Sequence, residues 1–314
     1  MKKTIIAAAV AAAVAAPAAF ADVSVSGLVH MAVTNTDTTT SMSNATGAAD
    51  NSGVSDNVSR LVFKGSEDLG NGMSAGFKME DRINMNTGDA ATDDGRENYV
   101  FLKGGFGNVQ LGRIYGPAKV AYSMTERAGD TAIDISTLSA SEEKTEDNTV
   151  QYTSPSFNGL TLKAALSGGN SANTDIGDTT DVSLTYSNGP LTVAVASYSS
   201  DADSTEDQDV FAIKYTMGDI TVAYSQMDTD ETSTTAGDEE KESKAASVAY
   251  AMGNNTLIAQ YGEVKHADGA TGDGWGAALV HSMSKNTSVY LGVRDSDVAG
   301  DLSTGYALGI KQTF

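Results

Sequence analysis

The sequence predicts an all-β fold: a transmembrane, antiparallel, up-and-down β-barrel of 16 strands with a long third loop folded into its lumen. After residue 21, short runs of alternating apolar and polar residues recur along the chain, and this period of two is typical of strands with two unlike faces. The connections between these runs are alternately short and long. No later segment approaches the roughly 20 consecutive apolar residues of a membrane-spanning helix.

The composition excludes several classes of function. The chain has 314 residues, no Cys, 20 basic and 41 acidic side chains, and a net charge of −21. Without Cys it can form neither disulfides nor thiolate metal sites. So acidic a chain would repel a phosphate backbone, and we therefore expect no nucleic acid partner. The three His residues lack the spacing of a metal site, and we expect no metal and no other cofactor.

Residues 1–21 have the parts of a secretory signal peptide. Two lysines precede an apolar run from Ile5 to Ala16, and Ala19-Phe20-Ala21 forms a small-x-small cleavage site. The apolar run is too short to span a membrane. We expect cleavage after Ala21, which leaves residues 22–314 as a single barrel domain.

Sixteen alternating runs are predicted to be strands. In the last of them Tyr306, Leu308 and Ile310 share one face, and small or polar residues occupy the other. The predicted strands are 23–34, 58–68, 73–83, 98–103, 108–114, 149–153, 160–167, 182–187, 191–198, 210–217, 220–227, 244–252, 256–262, 274–283, 287–294 and 303–314.

The two faces and the connections favour a closed barrel in a membrane. A soluble sandwich needs many bulky side chains between its sheets, whereas the apolar faces here are rich in Gly and Ala. In a membrane barrel the apolar face contacts hydrocarbon and the polar face surrounds water. Seven connections are short turns, and eight long ones share the opposite end. The long ones carry a summed charge of −29, against +6 for the rest of 22–314; they are 35–57, 84–97, 115–148, 168–181, 199–209, 228–243, 263–273 and 295–302.

Basic residues on the polar faces of neighbouring strands predict a charged wall inside the barrel. Arg60 and Lys64 alternate with Leu61 and Phe63, and Lys78 and Arg82 likewise oppose apolar neighbours. On the lipid side near mid-bilayer each charge would cost roughly 2–4 kcal/mol. Arg113 has the parity of the apolar residues Val109 and Leu111, so it needs a β-bulge or an early loop to turn inward.

The longest connection, 115–148, is the predicted counterpart of this wall. It carries Glu126, Asp130 and Asp134, and a loop of this length is more than a link between strands. Folded into the lumen, its acids would face the basic wall and create a transverse field at the narrowest point. The alternative is a loop that lies outside the barrel.

One sequence match points to an enzyme. Gly72-Met73-Ser74-Ala75-Gly76 fits the G-x-S-x-G pattern of serine hydrolases, which requires a sharp turn from a strand into a helix. Here the match opens an alternating strand, and no helical pattern follows. We therefore expect no enzymatic activity.

Several segments together resemble a general diffusion porin of the Gram-negative outer membrane. The resemblance covers essentially the whole of 22–314, and its most specific parts are the run from Gly105-Phe106-Gly107 to Leu111-Gly112-Arg113 and the terminal Phe314. It also rests on the opening Asp22-Val23-Ser24-Val25-Ser26-Gly27, on Ser59-Arg60-Leu61-Val62-Phe63-Lys64-Gly65 and on Tyr152-Thr153-Ser154-Pro155.

The resemblance implies partners and roles that the residues alone do not. It implies a homotrimer among outer-membrane lipids and lipopolysaccharide, and an inward third loop that forms the eyelet. Phe314 would be the signal read by the barrel-assembly machinery. By position, Arg60, Arg82 and Arg113 would form the basic wall, and Glu126, Asp130 and Asp134 its acidic opposite. The loop lacks the Pro-Glu-Phe-Gly-Gly pattern of enteric porins. The resemblance therefore does not assign which of the three acidic residues lies innermost in the lumen.

The predicted function is a water-filled outer-membrane channel for passive diffusion of small hydrophilic solutes and ions. Because the long connections concentrate cations at the mouth, within a Debye length of about 8–10 Å, we expect a weak cation preference. The alternatives are a substrate-specific channel for a sugar or an organic acid, an outer-membrane enzyme that uses Ser74, and a surface adhesin anchored by its barrel.

Overall fold

The computed structural model describes residues 22–37, 52–87, 96–126, 128, 131, 133–134, 145–168, 175–200, 206–231, 240–266, 269–298 and 301–314. The predicted signal peptide, 1–21, and Asp130 of the predicted site lie outside these residues. Nearly all of the described chain is strand. Its helical part consists of α1 (Pro117–Tyr122) and a 3-10 turn (Ser123–Thr125). None of the described helices is long and apolar enough to cross a membrane.

The strands form one antiparallel sheet of 17 segments. They are β1 (Asp22–Asp37), β2 (Ser52–Asp56), β3 (Arg60–Gly70), β4 (Met73–Arg82), β5 (Asn98–Gly104), β6 (Gly107–Tyr115), β7 (Thr145–Thr153), β8 (Leu160–Ser167), β9 (Thr179–Asn188), β10 (Leu191–Ser200), β11 (Glu206–Met217), β12 (Ile220–Glu231), β13 (Lys241–Met252), β14 (Asn255–His266), β15 (Thr271–Ser282), β16 (Thr287–Val298) and β17 (Asp301–Thr313).

These segments make a closed barrel of 16 strands, as predicted. β2 and β3 are two halves of one barrel strand, because both pair with β1: Met31 lies opposite Asp56, and Leu28 lies opposite Arg60. The other edge of β1 pairs with β17, with Leu28 opposite Thr313, and this pairing closes the sheet. A closed sheet has no free edge, which is the condition for a β structure in hydrocarbon.

The second barrel strand is interrupted at residues 57–59, across the boundary between the predicted loop 35–57 and the predicted strand 58–68. Val58, between β2 and β3, has φ 64°, a conformation that is costly for a β-branched residue. The Asp56 carboxylate accepts hydrogen bonds from the backbone N–H of Ser59 (2.9 Å) and of Met85 (3.0 Å). The break is thus held by a side chain, and the prediction that 35–57 is entirely loop was wrong for 52–56.

Apolar side chains lie on the outside of the barrel. In β17, Tyr306, Leu308 and Ile310 are exposed by 54 %, 59 % and 49 %, whereas Ala307 between them is buried. The same alternation recurs in the other strands, and polar residues such as Gln151 and Ser225 are the buried ones. This is the reverse of a soluble core, and it fits a barrel surrounded by lipid.

The seven predicted short turns are present and define one end of the barrel, here called the short-turn end. Most of them contain a glycine with positive φ, among them Gly189, Gly218 and Gly253, a conformation that two-residue hairpin turns favour. The chain terminus is at the same end, where the backbone N–H groups of Gly27 and Phe314 donate to each other's carbonyl oxygens at 3.1 and 3.2 Å.

Candidate functional site

An ionic cluster lies on the polar face of β3, β4 and the start of β5. Antiparallel pairing puts Lys64 opposite Lys78, and Arg60 opposite Arg82. The alternation that turns their apolar neighbours outward turns these basic side chains inward. The four basic side chains predicted on these two neighbouring strands therefore share one face of the sheet.

Glu80 is the centre of this cluster. It is 5 % exposed, and its carboxylate contacts three cations: Lys78 Nζ at 2.7 Å, Arg96 Nε at 2.7 Å and Arg60 Nε at 3.4 Å. Lys78 Nζ also lies 2.5 Å from Glu97 Oε2. These five side chains, hereafter the Glu80 cluster, hold three positive and two negative charges. The two carboxylates of the Glu80 cluster thus compensate two of its three positive charges.

Arg96 and Glu97 were missed as site residues because they belong to a segment predicted to be a loop. Arg96 also stacks over the Tyr115 ring, with its guanidinium carbon 5.6 Å from the ring centroid. Glu97 immediately precedes β5, whose first residue, Asn98, pairs with Met79. Both residues directly precede the predicted strand 98–103. This position was the one signal in the sequence that could have marked them as site residues.

The two remaining basic residues of β3 and β4 lie beside the cluster. Lys64 is exposed, and it makes no ion pair with any residue of the described chain. Arg82 is partly buried opposite Arg60. The structure thus brings together four of the predicted basic residues, Arg60, Lys64, Lys78 and Arg82.

Arg113 lies at a β-bulge, as its parity required. Gly112 pairs with Thr149 and Ile114 with Glu146, so that Asp147 and Asn148 of β7 together face the single residue Arg113. Arg113 Nη1 lies 2.5 Å from Asp147 Oδ1. Its guanidinium therefore has a carboxylate partner in β7, outside the Glu80 cluster.

The first half of the connection after β6 is attached to the polar faces of β9–β12. The Asp181 carboxylate of β9 accepts the backbone N–H of Ala118 at 2.9 and 3.1 Å, which satisfies a donor of the first turn of α1. Tyr122 is 1 % exposed and packs in a cluster with Ala194 and Ala196 of β10. Thr125 Oγ1 lies 2.9 Å from Ser225 Oγ of β12.

The same connection touches a second part of the wall, on β14–β16. Ile133 is fully buried, and its carbonyl oxygen accepts a hydrogen bond from Gln260 Nε2 at 2.9 Å. The Asp134 carbonyl accepts one from Arg294 Nη1 at 3.0 Å. Glycines make room for this contact: a Cβ on Gly292 would lie 2.8 Å from the Ile133 side chain, and one on Gly276 would lie 2.8 Å from its carbonyl oxygen.

Two of the predicted acidic residues of the connection, Glu126 and Asp134, lie beside basic residues in the described part of the chain. Glu126 Oε1 lies 3.2 Å from Lys119 Nζ of the same segment. Asp134 is 7 % exposed and lies beside Arg294 of β16. The described ion pairs of the Glu80 cluster are formed with Glu80 and Glu97, residues on its own side of the barrel.

The comparisons with known proteins agree with this geometry. The family of Gram-negative porins matches residues 7–301. Major outer membrane protein P.IB of Neisseria meningitidis serogroup B is 33 % identical over 165 residues, which are 51 % of this chain and 47 % of that protein. The chain spans about half the length of the curated relatives that it matches.

Solved structures show the same fold across the whole barrel. An anion-selective porin from Comamonas acidovorans has a TM-score of 0.78 at 21 % identity, covering 94 % of this chain and 100 % of that one. OmpT of Vibrio cholerae, in its trimer form, has a TM-score of 0.71 at 13 % identity, covering 94 % and 99 %. The matched family consists of channels and not enzymes, and Ser74 is a residue of the extended strand β4. The chain therefore belongs to the family of Gram-negative porins, β-barrels of the bacterial outer membrane.

Proposed function

We propose that the chain forms a water-filled channel through which small hydrophilic solutes and ions diffuse passively, and that it works as a homotrimer. The observation that carries this proposal is a closed barrel with apolar residues outside and a polar, charged wall inside. The connection of 115–148 folds into the lumen and narrows it. Its attachments to β9–β12 and to β14–β16 support this placement, because they hold one segment against the polar faces of many neighbouring strands.

The proposed channel has a weak preference for cations. The three cations of the Glu80 cluster share two carboxylates, so the excess charge of this part of the wall is small. The eight long connections have a summed charge of −29 in the sequence, and the negative charge that they bring to the barrel attracts cations to the mouth. The Comamonas acidovorans porin is anion-selective by its title, but at 21 % identity it shares the fold alone.

Planar bilayers test this proposal. The purified protein should give conductance steps that occur in groups of three, and its reversal potential in a KCl gradient should have the cation-selective sign. Raising the salt concentration should reduce the selectivity, because surface charge is screened over about 3 Å at 1 M. A reversal potential of anion-selective sign would overturn the cation preference, and single, ungrouped steps would contradict the trimer.

A substrate-specific channel for a sugar or an organic acid is the second candidate. Gln151 Nε2 donates to Gln110 Oε1 at 3.0 Å, and Tyr99 hydrogen-bonds to Gln110, so that a row of amide and phenol groups lies beside the Glu80 cluster. Such groups bind hydroxyls and carboxylates. Saturable block of the conductance by one solute would favour this candidate over general diffusion.

We propose that Phe314 is the signal for assembly into the outer membrane, where lipids and lipopolysaccharide surround the barrel, and that residues 1–21 are cleaved during export. The Phe314 side chain is 54 % exposed at the short-turn end, within reach of the barrel-assembly machinery. Its ring covers Gly27, on which a Cβ would lie 2.6 Å from the ring.

Replacing Phe314 with Ser should lower the amount of assembled barrel in the outer membrane, while unassembled chain accumulates. Phe314→Tyr should assemble as the unmodified chain does, because it keeps the aromatic ring. Ile310→Ser is the matched control, since Ile310 is a similarly exposed apolar residue of β17, the strand that Phe314 directly follows. Quantification of the folded and unfolded bands in isolated membranes checks this. Equal losses for Phe314→Ser and Ile310→Ser would show that general apolarity, and not the terminal residue, is read.

A further inference from the structure

In the described chain, five lysines point into the barrel toward its short-turn end: Lys311 on β17, and four more on β3, β5, β8 and β11. Lys103 is next to the last residue of β5, Lys163 is three residues past the first residue of β8, and Lys214 is three residues before the last residue of β11. Lys64 lies deeper, six residues before the last residue of β3. These four residues are called the lysine vestibule below.

The alternation of each strand places these side chains on the inward face. Lys214 has the parity of Val210 and Ala212, which are 4 % and 0 % exposed, and Val210 packs with α1. Lys163 has the parity of Ala165, which is 2 % exposed. The sequence neighbours Leu102, Leu162 and Tyr215 have the opposite parity and are exposed on the outside.

The lysine vestibule differs from the Glu80 cluster in that its lysines form no direct ion pair with a described residue, although the carboxylates of Glu97 and Asp181 lie near enough to act on the charge of Lys163. In the described part of the chain no carboxylate lies within 4.0 Å of Lys64, Lys103, Lys163 or Lys214. Asp68 shares the inward face of β3 near the turn, but its carboxylate accepts the backbone N–H of Gly70 at 2.8 Å. These four lysines, which have no carboxylate in direct contact, lie toward the end opposite the acidic connections.

We propose that the lysine vestibule is a binding site for polyvalent anionic solutes that enter from the short-turn side. The proposal rests on the channel function proposed above. It adds that the two ends of the channel bind ions of opposite charge. The lumen is positive at the short-turn end and negative at the long-connection end, so polyvalent anions concentrate at the first and polyvalent cations at the second. Several ammonium groups on a curved wall give such an anion more than one favourable charge contact.

The proposal is tested by asking from which side of the bilayer an added ion blocks the current through single channels. This test works whichever way the barrel is oriented in the bilayer. Inorganic tripolyphosphate and spermine are added separately to each side in KCl without divalent ions. Tripolyphosphate should block from one side and spermine from the other. The double variant Lys163→Gln/Lys214→Gln should weaken tripolyphosphate block roughly tenfold, as expected when two unit charges are removed near the ligand, and should leave spermine block in place.

Lys265→Gln is the control, because Lys265 lies near the far end of β14, with the long connections, and should leave tripolyphosphate block unchanged. The proposal is overturned if both ions block from the same side, or if the double variant binds tripolyphosphate as the unmodified channel does. Absence of any conductance steps would contradict the channel function instead, so the two failures are distinguishable.

Discussion

Replacing Glu80 with Gln is expected to shift the channel toward anion selectivity. Arg60, Lys78 and Arg96 all contact the Glu80 carboxylate, and the neutral amide would leave them with Glu97 as the remaining partner in the cluster. The side chain of Glu80 is 7 % exposed, so the loss of its charge also destabilises the fold, by on the order of 3 kcal/mol. The reversal potential in a KCl gradient measures the first effect, and the unfolding temperature in detergent measures the second.

Glu67→Gln is the matched control for Glu80→Gln. Glu67 is an exposed residue of the adjacent strand β3, and it forms no ion pair with another described residue. Its loss should change neither the stability nor the reversal potential by a comparable amount. If Glu80→Gln left the reversal potential where Glu67→Gln leaves it, the Glu80 cluster would not contribute to selectivity.

Replacing Gly292 with Val is expected to detach the far end of the third connection and to raise single-channel conductance. A Cβ at this position would lie 2.8 Å from both Cδ1 and Cγ2 of Ile133, which is fully buried against the wall. Forcing extra methyl groups into such a contact costs about 1–3 kcal/mol. We expect the connection to bear that cost, while the strand pairing of β16 with β15 and β17 persists.

Conductance and current noise of single channels check this prediction. Gly53→Val is the control, because Gly53 is also a strand residue but has nothing within 4 Å of the position that a Cβ would take. It should leave both quantities unchanged. If Gly292→Val folded to the same yield and conducted like Gly53→Val, the contact of Ile133 would not set the width of the lumen.

The sequence alone determined the architecture, because its signals are local. Alternation within each run, as in Tyr306, Leu308 and Ile310, reports which face is apolar, and turn residues such as Gly189 report where strands end. Counting the runs predicted 16 barrel strands, and the parity of Arg113 predicted an irregularity where the bulge lies. The inward direction of Arg60, Lys64, Lys78 and Arg82 follows from the same parity.

The partners of the charged residues were decided by the tertiary structure alone. Arg96 and Glu97 lie at the end of a connection that has no periodic pattern. The register of β4 and β5 brings them next to Lys78 and Glu80. Ile133 meets Gly292 over a separation of more than 150 residues, and Arg294 likewise meets Asp134. Parity tells which side of a sheet a residue faces, but an ion pair also requires the right height and the right neighbouring strand, and these arise only when the sheet closes and the connection takes its path along the wall.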